Sequence, residues 1–306
     1  MPDGPMRSRS ADSEHGRRRD RERPPPPEPL PHPVVDNHCH LDISDGDWLE
    51  TGEAIARAST VGVPRIVQIG CDLPGAAWAV QAARDHAALV AGVALHPNEA
   101  PRLAADGRLD EGLAEIERLA RAHDKVRAVG ETGLDFFRTG EDGREAQIRS
   151  FEAHIAIAKD HDLALQIHDR DAHDDVLRVL RRVGAPKRTV FHCFSGDAEF
   201  AKEVADAGWY LSFAGTVTFK NAGSLRDALE VIPRASILIE TDAPYLTPTP
   251  WRGRPNSSYL IPHTLRFMAE HLGTDPSMLA AQISSNTEEV YGSWDIDLDP
   301  PSEPNR

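Results

Sequence analysis

The stretch Val34-Val35-Asp36-Asn37-His38-Cys39-His40 decides how the chain folds. Its β-branched opening reads as a buried strand, and the strand ends in two histidines. Alternate strand residues share a face, so His38 and His40 point one way and Cys39 the other. Seven further stretches follow the same plan, at 65–70, 89–95, 126–131, 163–168, 188–192, 209–213 and 236–240. Amphipathic segments lie between them, for example 75–87, 144–161, 171–183 and 224–231, and two more helices start near Pro262 and at Pro276. Proline suits a first helical turn, where its missing N–H has no partner to lose. Eight strands, each followed by a helix, over about 250 residues predict an α/β fold of the (β/α)8 TIM barrel type. No G-x-G-x-x-G follows any strand, so an open doubly wound sheet lacks its commonest ligand motif.

The barrel reading occupies residues 34–292. Residues 1–33 hold nine prolines, seven arginines and six acidic residues with almost no large apolar side chain, which predicts a disordered tail. The Arg17-Arg18-Arg19 run is broken by Asp20 and Glu22, and reads as solvated chain rather than a nucleic-acid arm. Residues 293–306 are acidic and read as a second disordered tail. A net charge of −15 argues against a broad basic face for duplex nucleic acid, while leaving room for a local anion site. No apolar run is long enough for a membrane span. Three cysteines without a C-x-x-C pair exclude a disulfide scaffold and a thiolate zinc finger, and they suggest a reducing, cytoplasmic setting.

In such a barrel the functional residues stand at the C-terminal ends of the strands. His38 and His40 end the first strand, Glu131 the fourth, His168 the fifth, His192 the sixth, and Glu240-Thr241-Asp242 the eighth. A lone histidine at a strand end is usually a hydrogen-bonded loop residue. Four histidines and two carboxylates converging on one rim would be costly to bury without a common partner, and metal ions supply one. Imidazole and carboxylate donors suit zinc, magnesium or manganese without choosing among them.

Asp36-Asn37-His38-Cys39-His40-Leu41, Gly130-Glu131-Thr132-Gly133-Leu134-Asp135, Gln166-Ile167-His168, His192-Cys193-Phe194-Ser195-Gly196 and Glu240-Thr241-Asp242-Ala243-Pro244-Tyr245-Leu246 together resemble the TatD family of metal-dependent deoxyribonucleases. The resemblance implies an amidohydrolase-superfamily barrel holding two divalent cations. It implies His38, His40 and Asp242 at the first cation, Glu131 bridging, and His168 and His192 at the second. Two departures bear on substrate choice. Asn98 stands after His96-Pro97 where the family often has histidine, and the loop Arg252-Gly253-Arg254-Pro255-Asn256-Ser257 differs from the family's basic pattern.

The expected function is hydrolysis of DNA phosphodiesters by a water activated between two metals, with Asp242 as ligand and proton acceptor and Glu131 as the shared carboxylate. The substrate is expected to be single-stranded or end-bound, with no membrane and no protein partner. Arg170, Lys220, Arg252 and Arg254 lie in loops after strands, where a cation suits phosphate, and His96 is a further substrate contact. Glu240 reads equally as a support for a ligand histidine or as an internal salt bridge. A same-barrel hydrolase of esters or amides, such as an aminoacyl ester on tRNA, is the alternative enzyme. A metal-stabilised binding platform is the non-catalytic one, which the open ligand set disfavours.

Overall fold

A computed structural model describes residues 5–10, 12 and 19–293 of the 306-residue chain. Two short strands, β1 (Arg7–Ser8) and β3 (Ile43–Ser44), pair with each other. The other eight are β2 (Val35–Cys39), β4 (Arg65–Gly70), β5 (Leu89–Val93), β6 (Val126–Asp135), β7 (Ala164–Arg170), β8 (Thr189–Phe191), β9 (Tyr210–Phe213) and β10 (Ile237–Ile239). They form one parallel sheet in the order β10-β9-β8-β7-β6-β5-β4-β2. The ends of that sheet meet, which gives the expected barrel.

The interior of the ring is filled by Val35, Val67, Val90, Ala128, Ala164, Val190 and Leu238, one from each of seven strands. A larger apolar layer lies between strands and helices, where Ile66, Leu89, Leu165 and Phe191 meet Ala79, Ile116, Ile155 and Leu180. The helices are α1 (Thr51–Thr60), α2 (Leu73–Asp85), α3 (Glu99–Ala105), α4 (Leu109–Ala120), α5 (Glu141–Asp160), α6 (His173–Val183), α7 (Ala198–Asp206), α8 (Gly223–Val231), α9 (Ile261–His271) and α10 (Pro276–Tyr291). The start at Pro276 is as expected, and Asp275 caps it by accepting from Ser277 N at 2.8 Å and Met278 N at 3.3 Å. No helix among the described residues is long and apolar enough to cross a membrane.

The seam between β2 and β10 has no regular ladder. A single bridge joins Cys39 to Ala243. Around it, His40 N donates to Ala243 O at 2.8 Å and Asp242 N to His38 O at 2.9 Å. Side chains complete the join. Asn37 donates to Ile239 O at 2.7 Å, and Asp36 accepts from Thr241 N at 2.9 Å and Thr241 Oγ1 at 2.5 Å.

The expectation of a disordered segment over residues 1–33 is corrected for its described residues, which lie against the barrel. Composition misses this because backbone and arginine contacts, rather than apolar bulk, hold the segment. Leu30 is its one buried large apolar side chain. Leu30 N donates to Val61 O at 3.0 Å, Tyr259 donates to Pro24 O at 2.7 Å, and Arg266 donates to Glu28 O and Pro29 O. Arg9, Arg19 and Arg21 surround the buried Asp45. Of the expected acidic tail, all but Ser293 lies outside the described residues.

Candidate metal centre

Two irregularities aim the donors at the barrel axis. Between Asp36/Ile66 and Cys39/Gln68 the register of β2 on β4 shifts by one residue. The same happens between Val129/Leu165 and Thr132/Ile167, where β6 meets β7. Val35 and Ala128 fill the ring interior, and a regular strand would send residues three further on to the outside. Each bulge supplies the missing flip, so His38 and Glu131 also face inward. Gly133 follows the second bulge, where β6 runs too close to β7 for a side chain. Its φ is +138°, and a Cβ there would sit 2.1 Å from His168 O. Asp242 has φ +52°, a left-handed conformation that is costly for a side-chain residue and places its carboxylate beside His40.

The six expected ligands do come together, and all but His168 and Asp242 are fully buried. His38 Nδ1 lies 2.5 Å from Gln166 Oε1, and His40 Nδ1 lies 3.1 Å from Ile69 O. Both acceptors take a hydrogen from the ring, so each Nε2 keeps its lone pair. The two Nε2 atoms face each other at 3.3 Å, with Asp242 Oδ1 3.8 Å and 3.3 Å away. Two lone pairs and a carboxylate crowded in this way fit a cation, and no hydrogen bond between the rings satisfies both. His38, His40 and Asp242 form one donor trio, and His38, Glu131 and His192 form another.

The carboxylate oxygens of Glu131 divide the site. Oε1 faces His168 Nδ1 at 2.6 Å, His192 Nε2 at 2.9 Å and His96 Nε2 at 3.4 Å. Oε2 faces His38 Nε2 at 3.7 Å, His40 Nε2 at 4.0 Å and the donating Cys71 thiol at 3.4 Å. One carboxylate therefore addresses two groups of histidines, as a shared ligand would. Burial opposes ionisation of Glu131, but the His192 and His96 imidazoles and hydrogen bonds from His168 and His192 outweigh it and hold its pKa well below the ordinary range. Asp242 is likewise lowered, with burial outweighed by His40, His38 and His192. Burial disfavours a proton on His40 and His192, yet the Asp242 carboxylate raises the first, and Glu131 and Glu240 the second. Protons and cations are thus alternative occupants of the same lone pairs.

Several supporting residues escaped sequence reading. Gln166 orients His38 and donates to Asn37 O at 2.9 Å and Tyr291 Oη at 2.7 Å. Asp135 Oδ2 stands 3.3 Å from His168 Nε2 and accepts from Asn98 at 3.0 Å. The departure at Asn98 is therefore built into this support. Its place in the quoted Gly130–Asp135 motif was the one signal for Asp135. Cys71, at the end of β4, had no signal at all; burial pushes its thiol up to about 12, so it stays protonated. Glu240 accepts from His192 Nδ1 at 3.1 Å and from Cys193 N at 2.8 Å, which makes it a support for a ligand histidine.

The expected substrate contacts separate. Arg170 lines the cavity over the donors, which has a volume of about 720 Å³, and its guanidinium lies 3.9 Å from the ring centre of the exposed Phe137. His96 also lines it, but as a donor to Glu131, because its Nδ1 accepts from Asn98 N at 3.1 Å and leaves the hydrogen on Nε2. Lys220, Arg252 and Arg254 are not among the residues that line this cavity. Arg252 stacks on Phe219, and Arg254 stacks on Trp251 and pairs with Asp20 at 2.7 Å. Their loop turns toward the N-terminal segment, which was expected to be absent from the surface. Arg138 and Asn98 line the cavity in their stead.

The family model described as TatD related DNase matches residues 35–292. The chain belongs to this family. An uncharacterised metal-dependent hydrolase named TatD from Mycobacterium tuberculosis is 43% identical over 264 residues, covering 85% of this chain and 98% of that relative. An uncharacterised metal-dependent hydrolase of Bacillus subtilis is 37% identical, covering 84% and 96%. Among solved structures, a TatD homologue of Escherichia coli superposes with a TM-score of 0.76 at 27% identity, covering 85% of this chain and 98% of that one. The TatD-family barrel and the metal-dependent hydrolase class are thereby established for this chain.

Proposed function

We propose that this TatD-family hydrolase cleaves phosphodiester bonds of DNA, acting on single strands or ends, with two divalent cations in the donor cluster. The observation that carries the reading is the division of Glu131, whose two oxygens address different groups of imidazoles. His38, His40 and Asp242 would hold one cation, His168 and His192 the other, and Glu131 both. Cations held there would acidify a water molecule and offset charge on a phosphoryl oxygen. Asp242 would take the proton of the attacking water. Its side chain is 15% exposed, toward the cavity, and its lowered pKa keeps it ionised at neutral pH. The Arg170 guanidinium, steadied on Phe137, would hold a phosphate oxygen. Three free cysteines support a reducing, cytoplasmic location.

The test loads the protein with zinc, magnesium or manganese in turn. Each form is assayed on an end-labelled single-stranded oligonucleotide, a small phosphodiester chromogen and an ester chromogen. The reading expects cleavage of both phosphodiesters. Turnover of the ester alone would refute it. Asp242→Asn at saturating metal should lose about 10²–10⁴-fold in rate together with the acidic limb of the pH–rate profile. Full rescue by excess metal would remove Asp242 from the proton-acceptor role.

A further inference from the structure

Residues 5–10 precede the family-matched part of the chain, yet they run along the rim of the active-site cavity. Strand β1 pairs with β3, in the loop that follows β2, and Met6 N and Arg9 N donate to Asp42 O and Ser44 O, each at 2.9 Å. Arg7 and Arg9 both line the cavity that His40, Glu131 and Asp242 line. Arg7 is bridged to Asp42 at 3.2 Å and Asp72 at 3.3 Å. Arg9 is bridged to Asp45 at 3.2 Å, donates to Pro244 O at 3.0 Å, and lies 4.7 Å from the ring centre of Tyr245. Both bonds of Arg9 run through Nη1, which leaves donors at Nε and Nη2 without a partner among the described residues. Arg19 and Arg21 also bridge Asp45, so Arg9 shares that carboxylate with two other guanidinium groups and is not fully neutralised by it.

Strand order places this patch. From β2 to β7 is four steps round the ring in either direction, so the β1 arginines stand across the centre from Arg170. A small phosphodiester would reach one side only. A chain of phosphates laid across the donors meets guanidinium groups at both ends.

We propose that the N-terminal strand is a wall of the substrate cleft, and that Arg7 and Arg9 grip a nucleic-acid phosphate beyond the one that is cleaved. The proposal rests on the phosphodiesterase reading above. It assigns substrate-length preference to a segment outside the family-matched residues. A purely structural role, with the arginines serving only as pins for Asp42, Asp45 and Asp72, makes different predictions.

The experiment uses the full chain with Arg7→Gln and Arg9→Gln combined, and a second protein with Arg7→Lys and Arg9→Lys. KM and kcat are measured on the labelled oligonucleotide and on the small chromogen across a salt series. The Gln pair should raise KM for the oligonucleotide by about tenfold more than for the chromogen, with kcat changed far less. The slope of log KM against log salt should become shallower by about 0.7 for each phosphate that is no longer gripped. The Lys pair keeps the charges and should recover most of that slope. Hydrogen exchange at the amides of residues 6 and 9 reports whether the strand stays docked; if it detaches in the Gln pair, the Lys pair decides. Unchanged KM and slope in the Gln pair, or equal losses on both substrates, would overturn the proposal while the parent reading stands. A wild-type protein that ignores the oligonucleotide overturns both.

Discussion

Replacing Gln166 by methionine keeps the volume and removes the acceptor that fixes the His38 ring. Gln166 Oε1 stands 2.5 Å from His38 Nδ1, inside the barrel and away from solvent. Without it the Nδ1 hydrogen has no partner, the ring is free to change tautomer or rotate, and Nε2 no longer presents a fixed lone pair. Losing such an orienting partner weakens metal binding by about 10–100-fold, or about 1.4–2.7 kcal/mol. A second cost falls on folding. His38 Nδ1 and Asn37 O are left unpaired at about 1–3 kcal/mol each, so metal-free stability should drop by at least about 2 kcal/mol. Gln166→Glu separates the two effects, because it restores an acceptor for His38 while losing the donor to Asn37 O. The assay is competition for zinc against a chromophoric chelator at mildly alkaline pH, with circular dichroism to confirm that each protein is folded. Methionine should weaken zinc binding and glutamate should not, whereas both should lower stability. Wild-type zinc affinity in folded Gln166→Met, or equal weakening in both variants, would show that Gln166 does not set the His38 lone pair.

His154 is fully buried, with Nδ1 2.6 Å from Ser150 O and Nε2 accepting from Leu95 N at 3.0 Å, and burial lowers its pKa to about 4. Its stabilising contribution is complete above the unfolded value of about 6.5 and is lost as pH falls from there to about 4, a change of about 3 kcal/mol. His154→Gln, which keeps a donor and an acceptor, should flatten that part of the stability–pH curve in urea melts. Leu30→Ala should cost about 2 kcal/mol and lower the melting temperature by several degrees if the N-terminal segment is docked; no change would return the segment to a loose tail. Gly133→Ala meets both a positive φ and His168 O, so it should destabilise the barrel by at least about 2 kcal/mol and reduce hydrolysis. His168→Ala and His192→Ala should each lower metal stoichiometry while the barrel stays folded, as read by metal analysis and circular dichroism.

What the sequence made legible was what repeats or what ends a strand. Hydrophobic runs located all eight barrel strands, and the polar residues closing those runs included every histidine of the donor cluster. Strand ends were less legible: β6 continues to Asp135 rather than stopping at Glu131, because a bulge interrupts its alternation without ending its pairing. That bulge and the one in β2 have no signature in side-chain pattern, so the inward turn of Glu131 could be expected only from the company it keeps. The docked N-terminal segment was illegible for a different reason. It is held by arginine–aspartate pairs and main-chain bonds, and composition counts neither. The loop arginines were not legible because a basic residue after a strand has two destinations, the cavity or the outer surface. Arg254 takes the second, toward Asp20.

The join between β2 and β10 gives the donor cluster a mechanical side. His38 and His40 lie on one lip of that join and Asp242 on the other, and among the described residues the lips are tied by a single bridge, two main-chain bonds and a few side-chain bonds rather than by a regular ladder. A cation gripped by all three, as proposed, would be a clasp across the one closure of the ring that has no regular ladder. Cation at a hundred times its dissociation constant adds about 2.7 kcal/mol to the folded state, and here that energy is concentrated on one join rather than spread through the core. The amides of His40 and Asp242 should then exchange fastest of the rim amides in metal-free protein and slow down most on loading. On the proposed reading, an ion held there for hydrolysis would also keep the ring shut.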